Sequence, residues 1–257
     1  MKPITLLVPA SAHVSPDMLG ELVHTVERRT GLTLNLARLS YAALLPEIFE
    51  RSPDVITWAP SYVAFVLERM HLATSLCTVG CPGTGARSSV LVGRRGIHGL
   101  ADLAGHRMGW VSRISTTGYD LPRLYLESFG VDPDALFGSQ RFCGSHAAAA
   151  AAMASGEVDI IATHSQALRR VFERAPVRAL VSIGPVPSDV VAAGVGVPAA
   201  VRDRLAHGLT STRLDFIEIG SAREGHLDLF GMLRRHAAGL DGHVTPPEPA
   251  RLAAAVR

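Results

Sequence analysis

The sequence predicts an α/β protein of two lobes, each a mixed, mostly parallel sheet flanked by helices. Strand-like and helix-like segments alternate along most of the chain, and their connections are short. A Gly/Pro-rich break at residues 80–85 and a second one at residues 185–189 divide this alternation into two halves. We therefore expect lobe 1 to comprise residues 1–83 plus 188–257, and lobe 2 to comprise residues 84–187.

The first half has the pattern of a βαβαβ unit followed by a further helix. Its strand-like segments are short and apolar, and its helix-like segments carry apolar residues at helical spacing. The expected strands are residues 4–8, 32–37 and 55–58, and the expected helices are residues 16–29, 41–50 and 61–70.

The second half repeats this order after the first break. The expected strands are residues 88–92, 107–111, 140–143 and 158–163, and the stretch at residues 179–195 is expected to be the return crossing to lobe 1. The expected helices are a short one at 100–103, one ending near Gly130, an alanine-rich one ending at Gly156, and two at 198–208 and 227–238. The last two helices should pack back on lobe 1. Ligands of such sheets bind beyond the carboxyl ends of the strands, which predicts a ligand cleft between the lobes.

Composition excludes several classes of partner. The 257 residues carry 25 basic and 23 acidic side chains that are interspersed, and only 5% of residues are aromatic, so a nucleic-acid partner is not expected. No apolar stretch has the roughly 20 residues of a membrane span. The three cysteines do not indicate a disulfide framework. The short apolar segment at residues 4–10 favours a buried first strand over a signal peptide, so the chain is cytosolic or has lost a leader.

Two helix N-termini that follow strands are the main functional signal. Ser115, Thr116 and Thr117 follow one strand, and Ser145 and His146 follow the next. Helix starts present unpaired N–H groups and a positive dipole end, and small hydroxyl side chains add donors without blocking access. The pattern therefore predicts a site for an oxyanion.

Helix capping explains part of the same pattern without a ligand. Thr117 with Asp120 fits a capping box, and Ser145 before the alanine run is a good N-cap. An ionised Asp120 that pointed inward would repel an anion. His146 is the residue that capping leaves unexplained, since a neutral imidazole there can donate one hydrogen bond to a ligand.

Other functional classes have weaker support. The chain has 11 histidines, and His13, His146 and His164 each follow a strand, so a zinc site in the cleft is an alternative, although no H-E-x-x-H or paired C-x-x-C motif occurs. An enzyme is not expected, because the chain has neither a G-x-S-x-G elbow nor a complete phosphate loop. A cytosolic ligand-sensing module of a regulator is a further alternative. No cofactor is expected.

An ordered set of motifs resembles the phosphate, phosphite and phosphonate substrate-binding proteins of ABC transporters. The similarity runs from about residue 30 to about residue 205. It is carried by residues 40–43, 53–62, 100–109, 115–122, 130–133, 137, 144–149 and 156–159. The resemblance implies a type II periplasmic-binding-protein fold that closes on a tetrahedral oxyanion and does not catalyse a reaction. It also implies a periplasmic location, an ABC transporter permease as partner, and a monomer that closes about hinges near residues 80–88 and 183–190.

The resemblance also implies roles for individual residues. Ser115, Thr116, Thr117 and His146 match the family's ligands to the phosphoryl oxygens. Tyr41 and Tyr62 match positions where the first lobe approaches the ligand. Asp189 and the Thr163–His164 strand end match positions that contact the rest of the ligand. The chain departs from the family at residues 82–89, which lack a ligand-facing aromatic residue; Arg87 lies there, and the sequence favours a solvated surface arginine.

Overall fold

The computed structural model describes residues 3–10, 12, 14–51, 54–83 and 87–221. Within this part of the chain, residues up to 83 together with 187–221 form one compact unit, and residues 87–186 form a second one. The lobe boundaries of the sequence analysis stay a prediction, since lobe 1 was expected to include the tail. The helix predicted at 227–238 lies outside the described residues.

The first unit alternates strands and helices as predicted. Its elements are β1 (Ile4–Pro9), α1 (Pro16–Thr30), β2 (Leu34–Leu39), α2 (Tyr41–Arg51), β3 (Val55–Ala59), α3 (Ser61–Arg69), β4 (Ala73–Gly80), β10 (Asp189–Gly194), α8 (Ala199–Thr210) and β11 (Glu218–Ser221). The six strands form one mixed sheet in the order β11-β4-β10-β3-β1-β2. β1 runs parallel to β2 and β3, whereas β10 runs antiparallel to β3 and β4.

Local signals explain where the first helix begins and ends. Ser15 accepts a hydrogen bond from the Met18 amide at 3.2 Å, and Pro16 occupies the first turn. Gly31 ends the helix with a φ of 63°, a conformation that favours glycine. The buried face of α1 carries Leu22 and Val26, which join Leu205 and Leu209 of α8 and the sheet in one apolar core.

The second unit contains the remaining elements. They are β5 (Arg87–Arg94), β6 (Arg107–Trp110), α4 (Leu121–Glu127), α5 (Pro133–Leu136), β7 (Ser139–Phe142), α6 (His146–Ser155), β8 (Ile160–His164), α7 (Leu168–Phe172) and β9 (Val177–Val186). Its five strands also form a mixed sheet, in the order β7-β6-β8-β5-β9. Its core is built around side chains such as Trp110, Tyr125 and Ile160.

The predicted α/β class is confirmed, and the differences are local. The sequence analysis did not predict the strands β4 and β11, nor the short helices α5 and α7. β2 begins two residues later than expected. The stretch expected to be the return crossing, residues 179–195, contains the strands β9 and β10. β11 has only four residues, too few for a periodic pattern, and it is defined by its pairing with β4.

The strand directions place the predicted site residues of each unit at one edge of its sheet. In the second unit β6 is parallel to β7 and β8, so their carboxyl ends lie at the same edge. β5 is antiparallel to β8, with Ser89 opposite His164, so its amino end lies there too. In the first unit the same reasoning places the carboxyl ends of β2 and β3 beside the amino end of β10.

Candidate oxyanion site

The hydroxyl segment, residues 115–120, forms a wide helical turn directly before α4. Thr116–Asp120 closes with a hydrogen bond from the Asp120 amide to the Ser115 carbonyl oxygen at 3.1 Å. Ser115 caps this turn, because its Oγ accepts a hydrogen bond from the Gly118 amide at 3.1 Å. The cap is thus Ser115 rather than Thr117, contrary to the capping-box interpretation. The Ser115 hydroxyl proton is still available to donate.

Gly118 is required at this turn for steric reasons. A Cβ atom on Gly118 would lie 2.5 Å from Val111 Cβ and 2.8 Å from Ser115 Oγ. The Gly118 carbonyl also accepts a hydrogen bond from the Val111 amide at 3.1 Å. Close packing against Val111 therefore holds the hydroxyl segment against the end of β6.

Ser89 also holds this segment, and the sequence analysis did not identify it. Its hydroxyl donates to the Thr117 carbonyl oxygen at 2.7 Å, and the residue is fully buried. A serine in a strand carries no sequence signal for such a role. Only the antiparallel pairing of β5 with β8 brings it to this edge of the sheet.

Asp120 is buried within the hydroxyl segment. Only 8% of its surface is exposed, and its Oδ2 has no hydrogen-bond partner among the described residues. Burial raises the pKa of this carboxyl to about 8, although the nearby Arg123 charge acts in the opposite direction. The carboxyl is therefore mostly neutral at pH 7, and the repulsion expected from an ionised Asp120 does not arise.

His146 begins the alanine-rich helix α6. Ser145 caps this helix by accepting a hydrogen bond from the Ala148 amide at 3.1 Å. His146 Nδ1 lies 3.0 Å from Thr163 Oγ1, and the His146 ring meets the His164 ring edge to face with centroids 4.5 Å apart. The structure thus brings three predicted residues, from α6 and β8, into one contact group.

The His146 imidazole is neutral over the physiological range. Burial, with smaller contributions from the neighbouring His164 and Arg87, lowers its pKa to about 3. Arg87 is therefore not the solvated surface arginine that the sequence favours, because it is half-buried and its charge acts on His146. The amino end of β5 is also tied to this group, since the Ser88 amide donates to Ser165 Oγ at 3.1 Å.

The predicted residues of the first unit lie at the corresponding edge of its own sheet. Tyr41 begins α2 after β2, and Tyr62 lies in the first turn of α3 after β3. Asp189 begins β10, and its Oδ2 accepts a hydrogen bond from Trp58 Nε1 at 3.2 Å. The Tyr62 ring stacks on Phe65 with centroids 6.3 Å apart. All three side chains are half-buried.

The zinc interpretation gains no support from the structure. His146 and His164 contact each other, but His13 lies outside the described residues. Within the described part of the chain, no group of three or more His, Cys, Asp or Glu side chains is arranged to hold a metal ion. The described residues also include no helix that is long and apolar enough to cross a membrane.

Solved structures with the same fold come from several bacteria. XAC2383 from Xanthomonas citri bound to ATP has 21% identity and a TM-score of 0.70, with 95% of this chain and 100% of that chain covered. A binding protein component of an ABC phosphonate transporter from Pseudomonas aeruginosa has 17% identity and a TM-score of 0.64, covering 99% and 95%. PhnD1 from Prochlorococcus marinus in complex with methylphosphonate has 17% identity and a TM-score of 0.64, covering 91% and 99%. No curated protein is significantly similar to the chain in sequence.

The two mixed sheets with flanking helices define the type II periplasmic-binding-protein fold. The model of the family described as the phosphonate periplasmic substrate-binding protein of ABC transporters matches residues 7–231. The chain therefore belongs to this family, and the predicted resemblance is confirmed. Members are solute-binding proteins of the periplasm that serve an ABC transporter, which implies a small-molecule ligand and a permease partner.

Proposed function

We propose that this protein binds a phosphonate, phosphite or phosphate ion through the hydroxyl segment and His146 of its second unit. The observation that supports this most is the convergence of two capped helix starts at one sheet edge, one carrying Ser115, Thr116 and Thr117 and the other carrying His146. Both helix starts direct N–H groups and positive dipole ends toward this edge. An oxyanion there gains several charge-assisted hydrogen bonds.

Neighbouring residues complete the proposed site. His164 and the Thr163 hydroxyl lie against His146, and the positive charge of Arg87 acts on this group. In the first unit, Tyr41, Tyr62 and Asp189 are proposed to contact the ligand, with Asp189 reading the part that is not phosphoryl. The protein releases the ligand to a permease without changing it chemically, and it acts as a monomer. The zinc and cytosolic-sensor alternatives are not supported by a specific contact.

A ligand panel tests this function directly. Phosphate, phosphite, methylphosphonate, 2-aminoethylphosphonate, ATP, sulfate and Zn²⁺ are compared by thermal shift and then by isothermal titration calorimetry. A ligand that binds only the folded state raises the melting temperature by mass action. A selective shift with one phosphorus oxyanion is expected. A shift with Zn²⁺ alone, or with no phosphorus compound, would refute the proposal.

Substitution of the hydroxyls locates the site. Thr117→Val keeps the shape of the side chain and removes a hydrogen-bond donor. The double variant Ser115→Ala/Thr117→Val should bind the ligand at least about tenfold more weakly, because a hydrogen bond to a charged group contributes roughly 1.5 to 3 kcal/mol. Ser115→Ala also removes the helix cap, so the single Thr117→Val variant is measured beside it. Thr210→Val is the matched control, since among the described residues that hydroxyl bonds only to backbone carbonyls of α8 in the first unit. Unchanged affinity in the double variant would refute the site.

A further inference from the structure

The contact between His146 and Thr163 links an imidazole at the proposed site to a buried hydroxyl. His146 Nδ1 and Thr163 Oγ1 are 3.0 Å apart. Thr163 is fully buried on β8, where its backbone lies opposite Val90 of β5. A β-branched side chain in a strand has few rotamers, so the position of this hydroxyl is fixed by the sheet. The contact therefore depends on the sheet and not on the ligand.

The direction of this hydrogen bond follows from the donors that need partners. The Thr163 hydroxyl makes no other hydrogen bond within the described part of the chain. If His146 Nδ1 carried the proton, the Thr163 hydroxyl proton would be buried without an acceptor, which costs about 1 to 3 kcal/mol. If the hydroxyl donates to Nδ1, both groups are satisfied and the imidazole proton is on Nε2.

We propose that Thr163 is a positioning residue that donates its hydroxyl proton to His146 Nδ1 and thereby holds His146 as the Nε2–H tautomer, the donor to the ligand oxyanion. This inference rests on the proposed function of the site. It assigns Thr163 a role through His146 in place of the direct ligand contact expected from the sequence. Binding then needs no proton uptake by the histidine.

The surroundings of His146 agree with a neutral donor. The titratable and charged groups that act on it are His164 from β8 and Arg87 from β5, and both are basic. Burial is the largest cause of its low pKa, and the two basic neighbours add to it. A second positive charge on His146 is therefore unfavourable before the ligand arrives, whereas a fixed Nε2–H dipole carries no such cost.

Nitrogen-15 NMR of histidine-labelled protein reads the tautomer directly. The expected result is an unprotonated Nδ1 and a protonated Nε2 on His146 at pH 7, both without ligand and with saturating methylphosphonate. Thr163→Val is close in shape and should give a mixture of tautomers, with affinity lowered by about fivefold to tenfold. Thr163→Ser should restore both the tautomer and the affinity, which a purely structural role of the threonine would not predict.

The outcomes separate this inference from the proposed function. A wild-type protein that binds none of the phosphorus oxyanions refutes the proposed function, whatever the tautomer. A protein that binds one of them but whose His146 carries Nδ1–H, or becomes doubly protonated in the complex, refutes the role of Thr163 alone. An unchanged tautomer in Thr163→Val also refutes it. Circular dichroism of each variant shows whether the fold is kept.

Discussion

The Ser89 hydroxyl donates a 2.7 Å hydrogen bond to the Thr117 carbonyl oxygen and so joins the amino end of β5 to the hydroxyl segment. Thr117 is 28 residues further along the chain, and both residues are buried. The hydrogen bond is one of the contacts that hold Thr117 at the proposed site.

Ser89→Ala should lower the free energy of unfolding by about 1 to 3 kcal/mol, because a buried carbonyl oxygen loses its partner. Ligand affinity should fall as well, since the start of the hydroxyl segment is no longer held. Chemical denaturation and calorimetry measure the two effects. Ser128→Ala is the matched control: its hydroxyl donates to the Tyr125 carbonyl at 2.7 Å at the end of α4, so it should not change affinity. Equal affinities for wild type and Ser89→Ala would contradict the prediction.

Gly118→Ala should both destabilise the protein and abolish binding of the panel ligand. The new methyl group would lie 2.5 Å from Val111 Cβ and 2.8 Å from Ser115 Oγ, so the turn must shift. Overpacking of this kind costs roughly 1 to 3 kcal/mol. The measurements are thermal denaturation and ligand titration.

Gly20→Ala is the control for this substitution. Gly20 lies within α1, and a Cβ atom there would meet no heavy atom within 4 Å. Alanine is the better helix former by up to about 1 kcal/mol, so Gly20→Ala should stabilise the protein and leave binding unchanged. If both variants behaved alike, the steric account of Gly118 would be wrong.

Asp120→Asn should make the protein more stable at alkaline pH. The folded-state pKa is about 8 and the ordinary value is 3.8, so the carboxyl favours folding only in its neutral form. This contribution is complete below about pH 4 and is lost as the pH rises toward 8, by at most about 1.4 kcal/mol per pH unit. Asparagine has no such titration. Denaturation between pH 4 and 9 should show a smaller loss of stability for the variant than for wild type.

Asp159→Asn is the comparison variant, because the stability contribution of Asp159 changes with pH in the opposite direction to that of Asp120. Two hydrogen bonds from the Arg107 side chain, at 2.7 and 2.8 Å, are the main cause that lowers the pKa of Asp159 to about 2, and the Arg107 backbone amide and the Arg107 and His106 charges act in the same direction. Its stabilising effect is present above about pH 4 and is lost as the pH falls through 2. The substitution should therefore destabilise the protein at neutral pH and have little effect in acid. Parallel pH profiles for the two aspartate variants would contradict the account.

Asp189→Asn tests the contribution of the first unit. The amide oxygen can still accept the hydrogen bond from Trp58 Nε1, which is 3.2 Å from Asp189 Oδ2, so stability should change little. A carboxylate that reads an ammonium group contributes roughly 1.5 to 3 kcal/mol, so affinity for 2-aminoethylphosphonate should fall at least about tenfold. Affinity for methylphosphonate serves as the internal control. An equal loss for both ligands would show that Asp189 is not selective for the distal group.

The proposed site could be inferred from the sequence where its residues are adjacent along the chain. Ser115, Thr116 and Thr117 stand together before a helix, and Ser145 with His146 stands before the next, so local capping rules identify both positions. Ser89 and Arg87 were not identified because their roles depend on strand pairing. The residue type alone does not show whether a serine or an arginine is buried or exposed. Which residue caps the first turn was also beyond the sequence, since Ser115 and Thr117 are both good caps.

The sequence by itself determined the α/β class, the order of most strands and helices, and the two helix starts that carry the hydroxyls and His146. These follow from short-range periodicity and capping, which act over a few residues. Only the tertiary structure decided the strand order, the burial and neutral state of Asp120, and the contact of His146 with Thr163 and His164. Those properties depend on which distant segments exclude water from each other, and that is decided by packing across the sheet.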